Sequence, residues 1–94
     1  MLLDHSLDDA SVKRIEDIIR AEKGIESFHY LKTRKSGDDV FVEAHIVFSD
    51  KDILLSAAHS IGEGIEEKID TALDGATTIL HLDLDPTPEN EGKK

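Results

Sequence analysis

The strict alternation of side chains from Val40 to Phe48 constrains the fold more than any other part of the sequence. One face of this run is wholly apolar and consists of Val40, Val42, Ala44, Ile46 and Phe48. The other face is mixed and consists of Phe41, Glu43, His45 and Val47. Because successive side chains of a β-strand point to opposite faces, the pattern predicts a strand whose apolar face lies on a core. The preceding Ser36-Gly37-Asp38-Asp39 is a turn signal and predicts a hairpin with an earlier strand over 28–34.

Two amphipathic helices and a third strand accompany the hairpin. Isoleucine and valine recur at helical spacing after two capping aspartates, which predicts a first helix over Asp9–Lys23. A second helix is predicted over Ile53–Leu73, and a last strand over Thr77–Leu84. The apolar stripe of the second helix consists of Leu54, Ala57, Ala58, Ile61, Ile65, Ile69, Ala72 and Leu73. The order α-β-β-α-β predicts an α+β, ferredoxin-like domain with both helices on one face of a three-stranded sheet.

These elements predict a single domain over residues 9–86. A lead-in over residues 1–8 precedes it, and a polar tail over residues 87–94, expected to be disordered, follows it. No apolar run approaches the roughly 18 residues that span a bilayer.

Charge excludes several classes of partner. The chain of 94 residues carries a formal net charge of −10, which argues against nucleic acid and against an anionic membrane surface. An acidic surface attracts cations, although solubility alone also accounts for it. The chain has no cysteine, so disulfides and thiolate metal sites are excluded.

Histidine is frequent, with five in the chain, and imidazole is the commonest metal ligand. His81 and Asp83 are two apart on a predicted strand and so share a face, while His45 lies on the mixed face of its own strand. His59 and Glu63 are neighbours on the polar side of the second helix. Each residue also fits a solvated surface position, so spacing by itself leaves both interpretations open. The sequence contains no glycine-rich phosphate loop and no nucleophile at a strand-to-helix turn, so we expect no catalysis.

Four short motifs in order along the chain point to a family. They are His29-Tyr30-Leu31-Lys32-Thr33-Arg34, Val42-Glu43-Ala44-His45-Ile46, Ala57-Ala58-His59-Ser60-Ile61 and Ile79-Leu80-His81-Leu82-Asp83. They resemble the H-x-L-R-T-R, F-V-x-x-H-I, x-A-H-x-I and I-x-H-x-D-P motifs of the C-terminal domain of cation diffusion facilitators. Leu2-Leu3-Asp4 is similar to the segment that joins this domain to the last membrane helix, and the resemblance extends to about Pro86.

The resemblance implies a cytoplasmic, V-shaped homodimer attached to the transmembrane domain of the same transporter. It also implies binding of divalent cations at and near the dimer interface, which draws the protomers together and favours transport. Zn²⁺ is the expected ion, with Mn²⁺, Fe²⁺, Co²⁺ and Ni²⁺ as alternatives because affinity order does not select among them. Carried over to this sequence, the metal ligands would be His29, His45, His59, His81 and Asp83.

One departure from the family pattern concerns the last motif. Proline commonly follows the aspartate directly, whereas here Pro86 follows Asp85. Either Asp83 or Asp85 could therefore be the ligand, and we favour Asp83 for its closeness to His81. Two alternatives to the metal-sensing domain are a pure dimerisation or docking domain of the same fold and a free-standing metal carrier.

Overall fold

The computed structural model describes residues 4–85. Within that range the chain forms, in order, β1 (Asp4–His5), α1 (Asp9–Ala21), β2 (Ile25–Ser36), β3 (Asp39–Phe48), α2 (Leu55–Ala72) and β4 (Thr77–Asp83). This confirms the predicted α-β-β-α-β order, with helix ends shifted by up to two residues. The predicted polar tail over residues 87–94 lies outside the described residues.

The sheet has the strand order β1-β2-β3-β4. β2 and β3 form the predicted antiparallel hairpin, joined by a two-residue turn at Gly37 and Asp38. Gly37 has a φ of 62°, a left-handed conformation that glycine adopts without steric cost. β4 pairs with β3 in parallel, because α2 carries the chain back along the sheet before β4 begins.

β1 adds two residues to the edge of the three long strands. Asp4 and His5 pair antiparallel with Ser36 and Lys35 at the end of β2. The sequence predicts only an extended lead-in here, since a strand of two residues is too short to show a period.

The core lies between the helices and the apolar face of β3. Its central cluster consists of Ile15, Ile19, Val42, Ala44, Ile46, Ile65 and Ile69. Both helices contribute to this cluster, so both cover the same face of the sheet, as predicted. The opposite face, which the helices leave uncovered, is called the outer face below; it carries His29, Tyr30, Lys32, Glu43, His45, His81 and Asp83.

Three positions depart from the burial that the sequence patterns suggest. Leu54 is 72% exposed because it is the N-cap of α2 and precedes the first helical turn, where the helical period does not apply. Ala57 is also exposed, beside the buried Ala58. Val47, on the mixed face of β3, is fully buried.

None of the helices in residues 4–85 has the length and apolar character needed to span a bilayer.

Candidate metal centre

Two histidine rings stack at the middle of the outer face. His45 and His81 are direct partners in the parallel ladder between β3 and β4. Their ring centroids lie 4.5 Å apart, and their planes differ by 18°. The alternation of each strand orients both rings away from the core, so the backbone pairing alone brings together two residues 36 positions apart in the chain.

A carboxylate holds each of these rings. His45 Nδ1 lies 2.9 Å from Asp83 Oδ2, and His81 Nε2 lies 2.8 Å from Glu43 Oε2. An ionised carboxylate can only accept a hydrogen bond, so the imidazole nitrogen donates in each pair. The result is a row of four groups across β3 and β4, with a carboxylate at each end and two imidazoles between them.

The two pairs differ in their exposure to solvent. The His45 side chain is 13% exposed and that of Asp83 29%, whereas the His81 and Glu43 side chains are each 44% exposed. The hydrogen bond from His81 holds the pKa of the Glu43 carboxyl below its usual range. The carboxylate of Glu43 is therefore fully ionised near neutral pH, when it accepts from His81.

A β-bulge in β2 brings an aromatic ring to the same place. The pairing of His29 with His45 and of Lys32 with Glu43 leaves Tyr30 and Leu31 opposite the single residue Ala44. Tyr30 has a φ of 54°, in the left-handed region that residues other than glycine rarely adopt. Its ring meets the His45 ring edge-on, with 5.6 Å between centroids. The strained backbone thus places the Tyr30 ring against His45.

His29 lies on the other side of His45, as its direct partner in the antiparallel ladder between β2 and β3. Its Nε2 atom is 3.1 Å from Ser27 Oγ, and its ring is 6.2 Å from that of Tyr30. Four of the predicted ligands, His29, His45, His81 and Asp83, therefore belong to neighbouring positions on three adjacent strands.

The structure does not bring His59 to this place, and the strand pattern leaves the position of the Asp85 side chain open. His59 is exposed on α2, and α2 packs against the opposite face of the sheet. β4 ends at Asp83, so strand alternation does not fix the direction of Asp85 in the bend that follows. Asp83 is in contact with His45.

Sequence reasoning missed Glu43 and Tyr30. Glu43 could have been found, since it precedes His45 by two residues and shares its face. Tyr30 could not, because simple alternation from His29 puts residue 30 on the core side, and only the bulge reverses this.

The family is decided by comparison over nearly the whole domain. Residues 7–85 match the family model described as the cytoplasmic domain of cation efflux proteins. The chain belongs to this family. This match confirms the resemblance drawn from the four motifs, and the family describes a dimerisation domain of cation efflux proteins.

Curated relatives of this cation efflux domain are considerably longer. The cation-efflux pump FieF of Salmonella schwarzengrund is 36% identical over 93 residues, which cover 99% of this chain and 31% of the relative. FieF of Salmonella typhi is 33% identical, and the match covers the same fractions of this chain and of the relative. The chain thus spans about a third of the length of the curated relatives it matches.

Solved structures confirm the fold. The metal-bound C-terminal domain of the CzcD transporter from Thermotoga maritima has a TM-score of 0.74 at 16% identity, over 82% of this chain and 93% of that one. The Zn form of CzrB has a TM-score of 0.69 at 29% identity, over 98% of this chain and all of that one.

The donor types at the stacked histidines fit a divalent cation, because neutral imidazole and carboxylate are suitable ligands for borderline metals. Their arrangement is incomplete, however. Within residues 4–85 of the single chain, no group of three or more histidine, aspartate or glutamate side chains is arranged to hold a metal ion. A metal would need either movement of these side chains or a ligand from another chain.

Proposed function

We propose that this domain binds divalent metal ions and homodimerises in the cytoplasm, where it regulates the transmembrane part of a cation efflux transporter. The observation that carries the proposal is the meeting of His45, His81 and Asp83 on the outer face. His45 contacts both His81 and Asp83, at a place on the sheet that neither helix covers.

The proposed ligands extend beyond these three. His29, the ladder partner of His45, is the fourth proposed ligand. His59 lies on the helical side of the sheet, so as a ligand within the same chain it would serve a different ion from the one at His45 and His81. The proposed carboxylate ligand is Asp83, with Asp85 as the alternative.

Zn²⁺ is the proposed ion. Structures of related domains support binding of divalent metal ions in general, but they do not favour Zn²⁺ over the others. CzrB has been solved in a Zn form, and variants of the MamM CTD in nickel and cadmium forms. Imidazole and carboxylate ligands accept Zn²⁺, Mn²⁺, Fe²⁺, Co²⁺ and Ni²⁺ alike.

Incomplete ligation in one chain is what links binding to regulation. A metal can shift an equilibrium between open and closed dimers only by binding the closed form more tightly. Moving a dimer from mostly open to mostly closed takes about 5 kcal/mol of differential binding, which one or two ions with ligands from both protomers can supply. The closed dimer would then favour transport by the membrane part, to which residues 1–8 would connect.

Isothermal titration of the chelator-treated domain with ZnCl₂, and then with Mn²⁺ and Fe²⁺, tests metal binding. We expect saturable binding at micromolar or lower concentration that disappears in His45→Ala/His81→Ala. Thr77→Ala is the matched control, since Thr77 is exposed on the same strand and face as His81. Flat titrations with all three ions would rule out the sensor.

Two further readouts use the same samples. Tyr30 is the only tyrosine, and the chain has no tryptophan, so ultraviolet emission reports directly on the surroundings of His45. We expect this emission to change on Zn²⁺ binding.

Small-angle X-ray scattering should show a more compact dimer with metal than without it, and unchanged dimensions would exclude closure.

The second candidate function is dimerisation or docking without a functional metal site. Its support is the incomplete arrangement of ligands within residues 4–85. In that case His45→Ala/His81→Ala would leave both dimerisation and transport regulation unchanged. A free-standing metal carrier is a third candidate, and membrane helices encoded upstream of this segment would exclude it.

A further inference from the structure

Glu43 contacts a proposed metal ligand but belongs to no ligand set suggested by the sequence. Its Oε2 atom lies 2.8 Å from His81 Nε2. Glu43 reaches His81 diagonally across the ladder, since its own direct partner is Ile79. His45 reaches Asp83 by the same diagonal, because its direct partner is His81. The two carboxylate–imidazole contacts are therefore one geometric unit repeated two residues further along.

The two contacts use different ring nitrogens. Asp83 accepts from Nδ1 of His45, whereas Glu43 accepts from Nε2 of His81. A neutral imidazole carries one proton, and the other nitrogen then holds the lone pair that binds a metal. The two stacked rings consequently keep their protons on different nitrogens.

We propose that Glu43 is a positioning residue of the metal centre: its carboxylate keeps the proton of His81 on Nε2 and leaves Nδ1 as the metal-binding atom. This inference rests on the proposed metal-binding function and deepens it. Carboxylates that accept from the second nitrogen of a metal-binding histidine fix its tautomer and orientation and raise its basicity. Glu43 is in a position to do all three for His81.

The exposure of His81 makes such a partner necessary. Its side chain is 44% exposed, so packing alone holds it less firmly than the 13% exposed side chain of His45. The stack on His45 restrains the tilt of the ring, but a flip of about 180° around the Cβ–Cγ bond keeps the same ring plane and so is not prevented by stacking. The hydrogen bond to Glu43 supplies that missing restraint and decides which nitrogen faces outward from the pair.

Nitrogen-15 NMR of the histidine rings in the metal-free domain, near neutral pH, tests the tautomer directly. We expect His81 in the wild-type domain to be predominantly protonated at Nε2. In Glu43→Ala it should become a mixture of tautomers, and the Zn²⁺ dissociation constant should rise by about 10- to 100-fold. Glu43→Gln retains an acceptor oxygen, so it should preserve the tautomer and lose less affinity than Glu43→Ala.

Glu26→Ala is the matched control. The Glu26 side chain is 45% exposed and pairs with Lys51 Nζ at 2.9 Å, so its removal costs the same charge and a comparable surface contact away from the histidines. It should change neither the His81 tautomer nor Zn²⁺ affinity. Circular dichroism of each variant verifies folding, which the exposure of Glu43 favours.

The outcomes separate this inference from the proposed function. If the wild-type domain binds Zn²⁺ and Glu43→Ala and Glu26→Ala bind it with equal affinity, the proposed role of Glu43 is overturned but the metal-binding function is not. A wild-type His81 protonated at Nδ1 would likewise overturn only the role of Glu43. A wild-type domain that binds no Zn²⁺ would overturn the proposed function itself, whichever tautomer His81 adopts.

Discussion

At the scale of single residues, Tyr30 shows how local strain serves the candidate metal centre. Its φ of 54° would normally be adopted by glycine or asparagine. Non-glycine residues persist in such conformations only where the surrounding structure imposes them. Here the bulge between His29 and Lys32 imposes it, and the benefit is an aromatic ring against His45.

The strain predicts that glycine and alanine at position 30 reverse the order of stability that they have in an ordinary strand. In an ordinary strand, a protein with glycine at a given position is less stable than one with alanine there by roughly 0.5–1 kcal/mol. The left-handed conformation costs an alanine roughly 1–2 kcal/mol, so we expect Tyr30→Gly to be at least as stable as Tyr30→Ala, by up to about 1 kcal/mol. Urea unfolding measures the difference.

Lys32 offers the matched comparison for that prediction. It is exposed in the same strand and is absent from the residues with positive φ. Lys32→Ala should therefore be more stable than Lys32→Gly by roughly 0.5–1 kcal/mol. The same order at both positions would mean that Tyr30 is not strained in solution.

At the scale of elements, the two helices begin differently. Asp8 is the N-cap of α1, and its side chain accepts from the Ser11 backbone N–H. Leu54 is the N-cap of α2 and makes no side-chain cap hydrogen bond. α1 therefore has a start defined by its own sequence, whereas α2 depends more on the burial of Ala58, Ile65 and Ile69.

The cap of α1 predicts a pH dependence of stability. Hydrogen bonds from Ser11 hold the pKa of the Asp8 carboxyl below its usual value. Because the folded-state pKa lies below the unfolded one, the stabilisation is complete above about pH 4 and disappears as pH falls through the lowered pKa. Asp8→Ala should thus unfold at lower urea concentration near neutral pH and approach the wild type in acid.

Asp8→Asn is the control for this effect, since asparagine caps helices without an ionisable group. It should keep most of the stability near neutral pH. A difference between the wild type and Asp8→Ala that stays constant into acid would contradict the role of the charged cap.

The interior of α2 contains a glycine that the fold does not require. A methyl group at Gly64 would meet no atom within 4 Å. Because alanine is the better helix former, Gly64→Ala should raise the free energy of unfolding by roughly 0.5–1 kcal/mol. Gly75→Ala is the contrast: Gly75 has a φ of +107°, so this substitution should destabilise. Loss of stability in Gly64→Ala would indicate a contact beyond the single chain.

At the scale of the whole molecule, charge opposes the proposed homodimer. Each chain carries −10, and two such chains repel one another at low ionic strength. Divalent cations bound between protomers would reduce this repulsion in addition to their direct ligation. Charge and ligation thus favour the same closed state.

Ionic strength should therefore strengthen dimerisation of the metal-free domain. We expect the dimer dissociation constant, measured by analytical ultracentrifugation, to fall between about 0.05 M and about 0.5 M NaCl as screening increases. The uncharged osmolyte sucrose at matched density is the control and should lack this dependence. Weaker dimerisation at high salt would instead indicate ion pairs across the interface.

Periodicity and motifs in the sequence determined the elements, the family and most of the candidate site. The alternation of Val40 to Phe48 fixed which residues enter the core and left His45 on the outer face, because side-chain direction in a strand depends only on parity. The same argument placed His81 and Asp83 together. Only the tertiary structure decided their partners: the parallel register set His81 against His45 and within reach of Glu43, and the bulge turned Tyr30 outward. Register between distant strands comes from the packing of the whole core, which no local pattern contains.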